Sequence, residues 1–146
     1  LLFVMKGNPR WLVPRGDMEV VEAMRPTCRS GDVLFAPASI GIFAYGLTAC
    51  RAILSHKVDP GYERRLAQVR GFGALPPGER AALLDTYGVT HFLAPGDAGP
   101  RPVAWLGEAT SFRRCLAVTT GPAWSLYVRE REASPPSGVI GRSGCR

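Results

Sequence analysis

Three residues of the types found in a catalytic triad, Ser39, His56 and Asp59, lie close together along the chain. A triad of this kind joins a nucleophile, a general base and an orienting carboxylate. Ser39 sits in the sequence PASIG, which lacks the glycine that precedes the serine in the GxSxG elbow of α/β hydrolases. Ser39 and Asp59 can each cap a helix, so the sequence favours this simpler role over a small Ser/His hydrolase.

A ligand site is a second interpretation of the same residues. His56 and Lys57 follow a short apolar run, and Asp59 with Pro60 is predicted to begin the helix that contains Tyr62. Ligands of parallel sheets bind beyond the carboxyl ends of the strands, where this segment and Ser39 are expected. The candidate ligand-binding residues are therefore Ser39, His56, Lys57, Asp59 and Tyr62. The alternative for His56 is a structural hydrogen bond to a loop carbonyl.

Metal and nucleotide chemistry have no recognisable motif here. The four cysteines form no CxxC pair, and His56 and His91 have no metal-ligand spacing with one another or with a carboxylate. His91 lies inside a predicted strand and is interpreted as a sheet residue. No glycine-rich phosphate loop follows the first strand. The sequence therefore predicts no metal and no cofactor.

Cys28 precedes the first predicted strand and Cys50 precedes the second. If these strands are parallel neighbours, both thiols lie at one edge of the sheet, where a disulfide can form. Such a bond would indicate an oxidising compartment. The alternative is that both residues are small buried hydrophobic side chains.

The elements that position these residues alternate between helix and strand. Apolar runs predict strands over 32–36, 51–55 and 89–94, parallel to one another with the first in the middle. Residues 113–120 and 123–129 flank Gly121-Pro122 and predict a hairpin. The expected fold class is α/β: a small three-layer domain with a mostly parallel sheet and a C-terminal antiparallel β-hairpin at its edge.

The 146 residues are 46% hydrophobic and 21% charged, which is typical of a globular chain. We expect a single α/β domain over 17–132, preceded by the end of a membrane segment or an arm (1–16) and followed by a disordered tail (133–146). The net charge of +6 comes mainly from scattered arginines. Because no basic run is present, nucleic acid is not expected as a partner.

Six stretches between residues 17 and 130 follow one another in a characteristic order: DVLFAP, ASIGIFAYGLT, CRAILSH, PGYERRLAQVRGF, LLDTYGVTHFLAP and WSLYVRE. This order resembles the C-terminal extracytoplasmic soluble domain of polytopic bacterial membrane glycosyltransferases of the lipid-linked-sugar, mannosyltransferase-like type. His56 and Tyr62 match the usual signals of that domain. Ser55 departs from the pattern, since glycine is frequent at its position.

The resemblance implies a non-catalytic domain on the extracytoplasmic side of the cell membrane. Its partners would be the membrane part of its own parent chain and a lipid-linked sugar, whose access the domain helps to shape. In that family the catalytic carboxylate and the lipid-phosphate site lie in the membrane part, so no catalytic residue carries over. A free-standing α/β ligand-binding module is the main alternative, and the small hydrolase is the third.

Overall fold

A computed structural model of the chain describes residues 15–95, 106, 112–118 and 124–130. The predictions for residues 1–14, for the loop after Pro95, for the turn around Gly121 and for the tail lie outside the described residues. The helices are α1 (Arg15–Met24), α2 (Ala38–Leu47), α3 (Tyr62–Gly71) and α4 (Pro77–Thr86). The strands are β1 (Val33–Phe35), β2 (Arg51–Ala52), β3 (His91–Pro95), β4 (Phe112–Val118) and β5 (Trp124–Arg129).

The strands form one five-stranded mixed sheet in the order β2-β1-β3-β5-β4. β1 is parallel to both of its neighbours: Val33 pairs with Arg51, and Leu34 pairs with His91. β5 is antiparallel to β3 and to β4, which forms the far edge of the sheet. The predicted α/β class, the central place of the first strand and the C-terminal antiparallel hairpin are therefore confirmed.

Alternating side chains of the sheet bury two separate apolar cores. Leu34 and Leu93 point into a core that also contains residues of α1 and α2. Val33, Phe35 and Phe92 point into the opposite core, together with residues of α3 and α4. The sheet thus lies between two helical layers, because successive side chains of a strand face opposite sides.

Helix starts differ from the sequence prediction at two positions. α2 begins at Ala38 after Pro37, whose extended backbone (φ −57°, ψ 154°) places Ser39 inside the helix. α3 begins at Tyr62, and its N-cap is Gly61 with a φ of 76°. Glycine adopts this left-handed conformation at little cost, so the chain turns two residues after Asp59.

Helix α2 approaches the residues that follow β2 very closely at one glycine. A Cβ atom added to Gly41 would lie 1.9 Å from the backbone oxygen of Leu54. Only a residue without a side chain allows this approach. Gly41 therefore fixes how α2 packs on the carboxyl end of β2.

Among the residues that the structure covers, no helix has the length and apolar character needed to cross a membrane.

Candidate functional site

The turn between β2 and α3, residues 55–61, contains three of the five predicted site residues. Its centre is the carboxylate of Asp59, which accepts hydrogen bonds from the Ser55 hydroxyl and from the backbone N–H of His56 (3.2 Å). The backbone N–H of Asp59 in turn donates to the carbonyl of His56 at 3.0 Å. The sequence suggested that Asp59 caps the helix. Its side chain instead stabilises the turn itself.

These contacts favour the charged form of Asp59. The hydrogen bond from the Ser55 side chain, followed by the one from the His56 backbone, lowers the pKa of the carboxyl below its ordinary value of 3.8. Burial opposes these two hydrogen bonds with a smaller effect that raises the pKa, and the charges of His56 and Arg65 add still smaller contributions that lower it. The turn therefore holds an ionised carboxylate at neutral pH.

His56 lies on the surface, and its ring packs edge-on against Tyr45 of α2, with the ring centres 5.6 Å apart. Asp59 bonds to the backbone of His56 rather than to its ring. Within the described residues, no hydrogen bond joins His56 to Ser39, which lies exposed in the first turn of α2. The contacts of a Ser–His–Asp triad are thus not assembled by these three residues. In the part of the chain that the structure describes, the His56 ring contacts Tyr45, and no hydrogen bond from it to a loop carbonyl is seen.

Lys57 and Tyr62 have different surroundings. Lys57 is exposed beside Val58, whose side chain is 90% exposed. Tyr62 is only 5% exposed and belongs to the core under α3, and its backbone N–H donates to the carbonyl of Asp59. Tyr62 therefore anchors the end of the turn to the core.

A cleft of about 340 Å³ opens beside β2, the edge strand, and is lined in part by three residues of the turn. We call it the edge cleft. Its wall combines two tyrosines, two arginines, a serine and an aspartate with four apolar residues. The lining residues are Val33, Tyr45, Arg51, Ala52, Ile53, Ser55, Asp59, Pro60, Arg65 and Tyr87. Sequence reasoning found Asp59 but missed the tyrosines and arginines, since they come from separate elements and share no spacing.

Arg65 joins α3 to the turn and to the end of β2. Its Nε donates to the carbonyl of Ile53 at 2.9 Å, and its Nη1 donates to the carbonyl of Pro60 at 2.7 Å. The guanidinium is therefore held in one orientation in the wall of the edge cleft. Arg51 is exposed at the same wall.

A second group of reactive side chains lies at the opposite, amino-terminal edge of the parallel strands. Cys28 precedes β1, Cys50 directly precedes β2, and His91 is the first residue of β3. Cys28 and Cys50 form a disulfide, with their Cα atoms 5.2 Å apart. The geometric argument from neighbouring parallel strands is thereby confirmed, and the alternative of two separate thiols is wrong. We call these three residues the Cys–His cluster.

His91 is more than a sheet residue in this cluster. Its ring is only 1% exposed, with Nδ1 2.9 Å from the hydroxyl of Thr90 and Nε2 3.2 Å from the carbonyl of Thr27. One ring nitrogen and the two sulfur atoms all lie within 4.8 Å of one another. The three residues are separated by 21 and 40 intervening positions, so no motif spacing predicts them.

Comparisons with family models, curated proteins and solved structures gave no match to this chain.

Proposed function

We propose that this chain is the extracytoplasmic domain of an integral-membrane glycosyltransferase that uses a lipid-linked sugar. In this proposal, the edge cleft receives the sugar-phosphate part of the lipid-linked molecule, and the chemistry takes place in the membrane part of the parent chain. The domain itself binds and orients. The observation that carries the proposal is the side-chain composition of the edge cleft.

Each group of the cleft suits one part of a sugar phosphate. The guanidinium of Arg51 can pair with phosphate oxygens, and Arg65 adds a fixed positive charge nearby. Tyr45 and Tyr87 offer ring surfaces with a polar end, which suits the mixed polar and apolar faces of a sugar. The Asp59 carboxylate and the Ser55 hydroxyl can hydrogen-bond sugar hydroxyls. A pocket with a few converging polar groups is a typical small-molecule site.

The disulfide between Cys28 and Cys50 supports an extracytoplasmic location, because such bonds persist in oxidising compartments. The family resemblance of the sequence supports the same location. A free-standing ligand-binding module would also use the edge cleft. The sequence encoded upstream in the same reading frame distinguishes the two alternatives. The glycosyltransferase requires several apolar segments of about 20 residues there, and the free-standing module does not.

Titration with a hexose 1-phosphate, followed by NMR of the backbone amides, tests the binding site. We expect shifts around Tyr45, Arg51 and Tyr87, and smaller effects from the free hexose or from inorganic phosphate alone. Arg51→Gln should weaken binding by about tenfold, since a hydrogen bond to a charged group contributes roughly 1.5 kcal/mol or more. Arg70→Gln on the exposed side of α3 is the matched control. Binding that is absent, or equally reduced by both variants, contradicts the proposal.

A further inference from the structure

We propose that the Cys–His cluster binds a divalent metal ion of the zinc class when its disulfide is reduced. The site would consist of the Cys28 and Cys50 thiolates and one ring nitrogen of His91. Forming the disulfide then expels the metal, so the same three residues alternate between a covalent and a coordinated link. This proposal does not depend on the function proposed above.

The distances within the cluster suit such a site. In a tetrahedral zinc site, with Zn–S near 2.3 Å and Zn–N near 2.0 Å, the ligand atoms are separated by about 3.5–3.8 Å. Here the three donor atoms already lie within 4.8 Å of one another. Once the S–S bond is broken, the two sulfurs need to separate only by a rotation of their side chains. The backbone that positions them can stay in place.

The sheet keeps the three ligands together independently of the disulfide. The carbonyl of Asp32 accepts a hydrogen bond from Arg51 at 2.8 Å, which joins the chain just after Cys28 to the chain just after Cys50. The pairing of Leu34 with His91 joins β1 to β3 at the same edge. Because these backbone contacts hold the three residues near one another, the reduced chain loses little conformational entropy when the metal binds.

The surroundings of His91 also suit a metal ligand. If Nε2 carries the metal, it gives up its contact with the carbonyl of Thr27. Nδ1–H can then donate to the hydroxyl of Thr90, whose own proton can go to the carbonyl of Val33 at 3.3 Å. Metal-bound histidines usually donate their second N–H in this way, which fixes the orientation of the ring. Two thiolates with one imidazole form a donor set typical of zinc, and three protein ligands leave one coordination position open.

The electron and proton balance is simple. A dithiol reductant transfers two electrons and two protons to the disulfide, giving two cysteine thiols and the cyclic disulfide of the reductant. Binding of the divalent ion then displaces one proton from each thiol. A disulfide oxidant takes two electrons from the two thiolates and two protons from solvent and becomes a dithiol, which restores the bond and releases the ion. Cys28 is partly exposed, which gives both reagents access.

The test uses the full chain with Cys115 and Cys145 replaced by serine, so that every thiol belongs to the cluster. The protein is reduced with a phosphine, which takes up one oxygen from water as the disulfide gains two electrons and two protons. It is then titrated with Co²⁺. We expect one ion per chain, with thiolate charge-transfer bands and the ligand-field bands of a tetrahedral site. The oxidised chain should show neither.

Variants identify the ligands. Cys28→Ser and His91→Gln should each weaken Co²⁺ binding by at least about tenfold, the effect typical of disturbing even an outer group of a metal site. His56→Gln is the matched control, because this second histidine is exposed and follows β2 at the opposite edge of the parallel strands. This variant should bind Co²⁺ as tightly as the unsubstituted chain.

X-ray absorption of the zinc-loaded, reduced chain, in which only Cys115 and Cys145 are replaced by serine, checks the ligand set with Cys28, Cys50 and His91 all present. We expect two sulfur neighbours and the scattering pattern of one imidazole. A reduced chain that binds no metal at stoichiometric concentration, or a bound zinc without the two sulfur ligands or without the imidazole, overturns the proposal.

Discussion

The two edges of the parallel strands are organised in opposite ways. At the amino-terminal edge, a disulfide joins Cys28 to Cys50, and the buried ring of His91 beside it is hydrogen-bonded to Thr90 and Thr27. At the carboxyl-terminal edge, Ser55, His56 and Asp59 form an exposed turn held by one carboxylate. Ligands of parallel sheets usually bind at the carboxyl edge. The rigid edge can therefore hold the sheet together while the open edge remains available to a ligand.

The largest effect is expected where α2 meets the carboxyl edge. Gly41→Ala would place a Cβ atom 1.9 Å from the backbone oxygen of Leu54, so backbone must move. We expect a loss of about 3 kcal/mol or more in the free energy of unfolding, measured by urea denaturation. Gly46→Ala in the same helix is the control, because its Cβ would meet nothing within 4 Å. That variant should gain roughly 0.5–1 kcal/mol. Equal stability of the two variants would show that the packing at this edge is loose.

Loss of the disulfide tests the rigidity of the amino edge. Replacing both Cys28 and Cys50 with alanine should lower the free energy of unfolding by about 3 kcal/mol, as expected for a bond that links residues 22 positions apart. The measurement is urea denaturation in the presence of a chelator. Ser55→Ala removes the corresponding link of the carboxyl edge and should cost about 1 kcal/mol or less. A larger loss for Ser55→Ala would reverse the comparison.

Each edge contains one histidine, so the same substitution can be made at both edges and its effect on stability compared. His91→Ala leaves the carbonyl of Thr27 and the hydroxyl of Thr90 without their buried partner, which should cost about 1–3 kcal/mol. His56→Ala removes only an exposed aromatic contact and should change stability by less than about 0.5 kcal/mol. Thermal melts of both variants decide the point. A clear loss of stability for His56→Ala would show that its contact with Tyr45 holds the turn in place.

The smallest effect is the dependence of stability on pH through Asp59. The pKa of its carboxyl is lowered in the folded chain, so the carboxylate stabilises the fold above its unfolded pKa, and this contribution is lost as pH falls through the folded pKa. Asp59→Asn should therefore flatten the loss of stability between about pH 4 and pH 2, the region of aspartate titration. Ser55→Ala removes the largest cause of the lowered pKa and should move that loss to higher pH. Urea midpoints across this range measure both, and identical profiles for all three proteins would contradict the assignment.

The sequence predicted the sheet better than the details of the sites. Apolar runs separated by helices predicted parallel strands with β1 in the middle, because crossover connections restrict the arrangement. Helix starts at Ala38 and Tyr62 were missed, since the side chains of Ser39 and Asp59 are good caps in isolation but Pro37 and Gly61 fixed the local backbone. Asp59 instead found partners within its own turn.

The Cys–His cluster could be predicted only in part. The order of elements placed Cys28 and Cys50 at the same edge, but His91 joins them through the register of β3 against β1. A shift by one residue would turn its side chain to the other face of the sheet, and sequence patterns do not determine register to that accuracy. The edge cleft was missed for a related reason, because Tyr45, Arg51 and Tyr87 come together only after three elements have packed.

The disulfide also determines how the chain responds to a pulling force. Tension applied from the two ends of the chain would pass directly from Cys28 to Cys50 through the covalent bond, because 22 positions separate the two residues. β1 and α2 lie inside this loop and would carry no tension even after the rest of the domain had extended. With the disulfide intact, the fully extended chain would be roughly 75 Å shorter than the same chain with the disulfide broken, at about 3.4 Å for each residue in the loop. Stretching single molecules of the chain with Cys115 and Cys145 replaced by serine, with and without a reductant, would measure that difference directly.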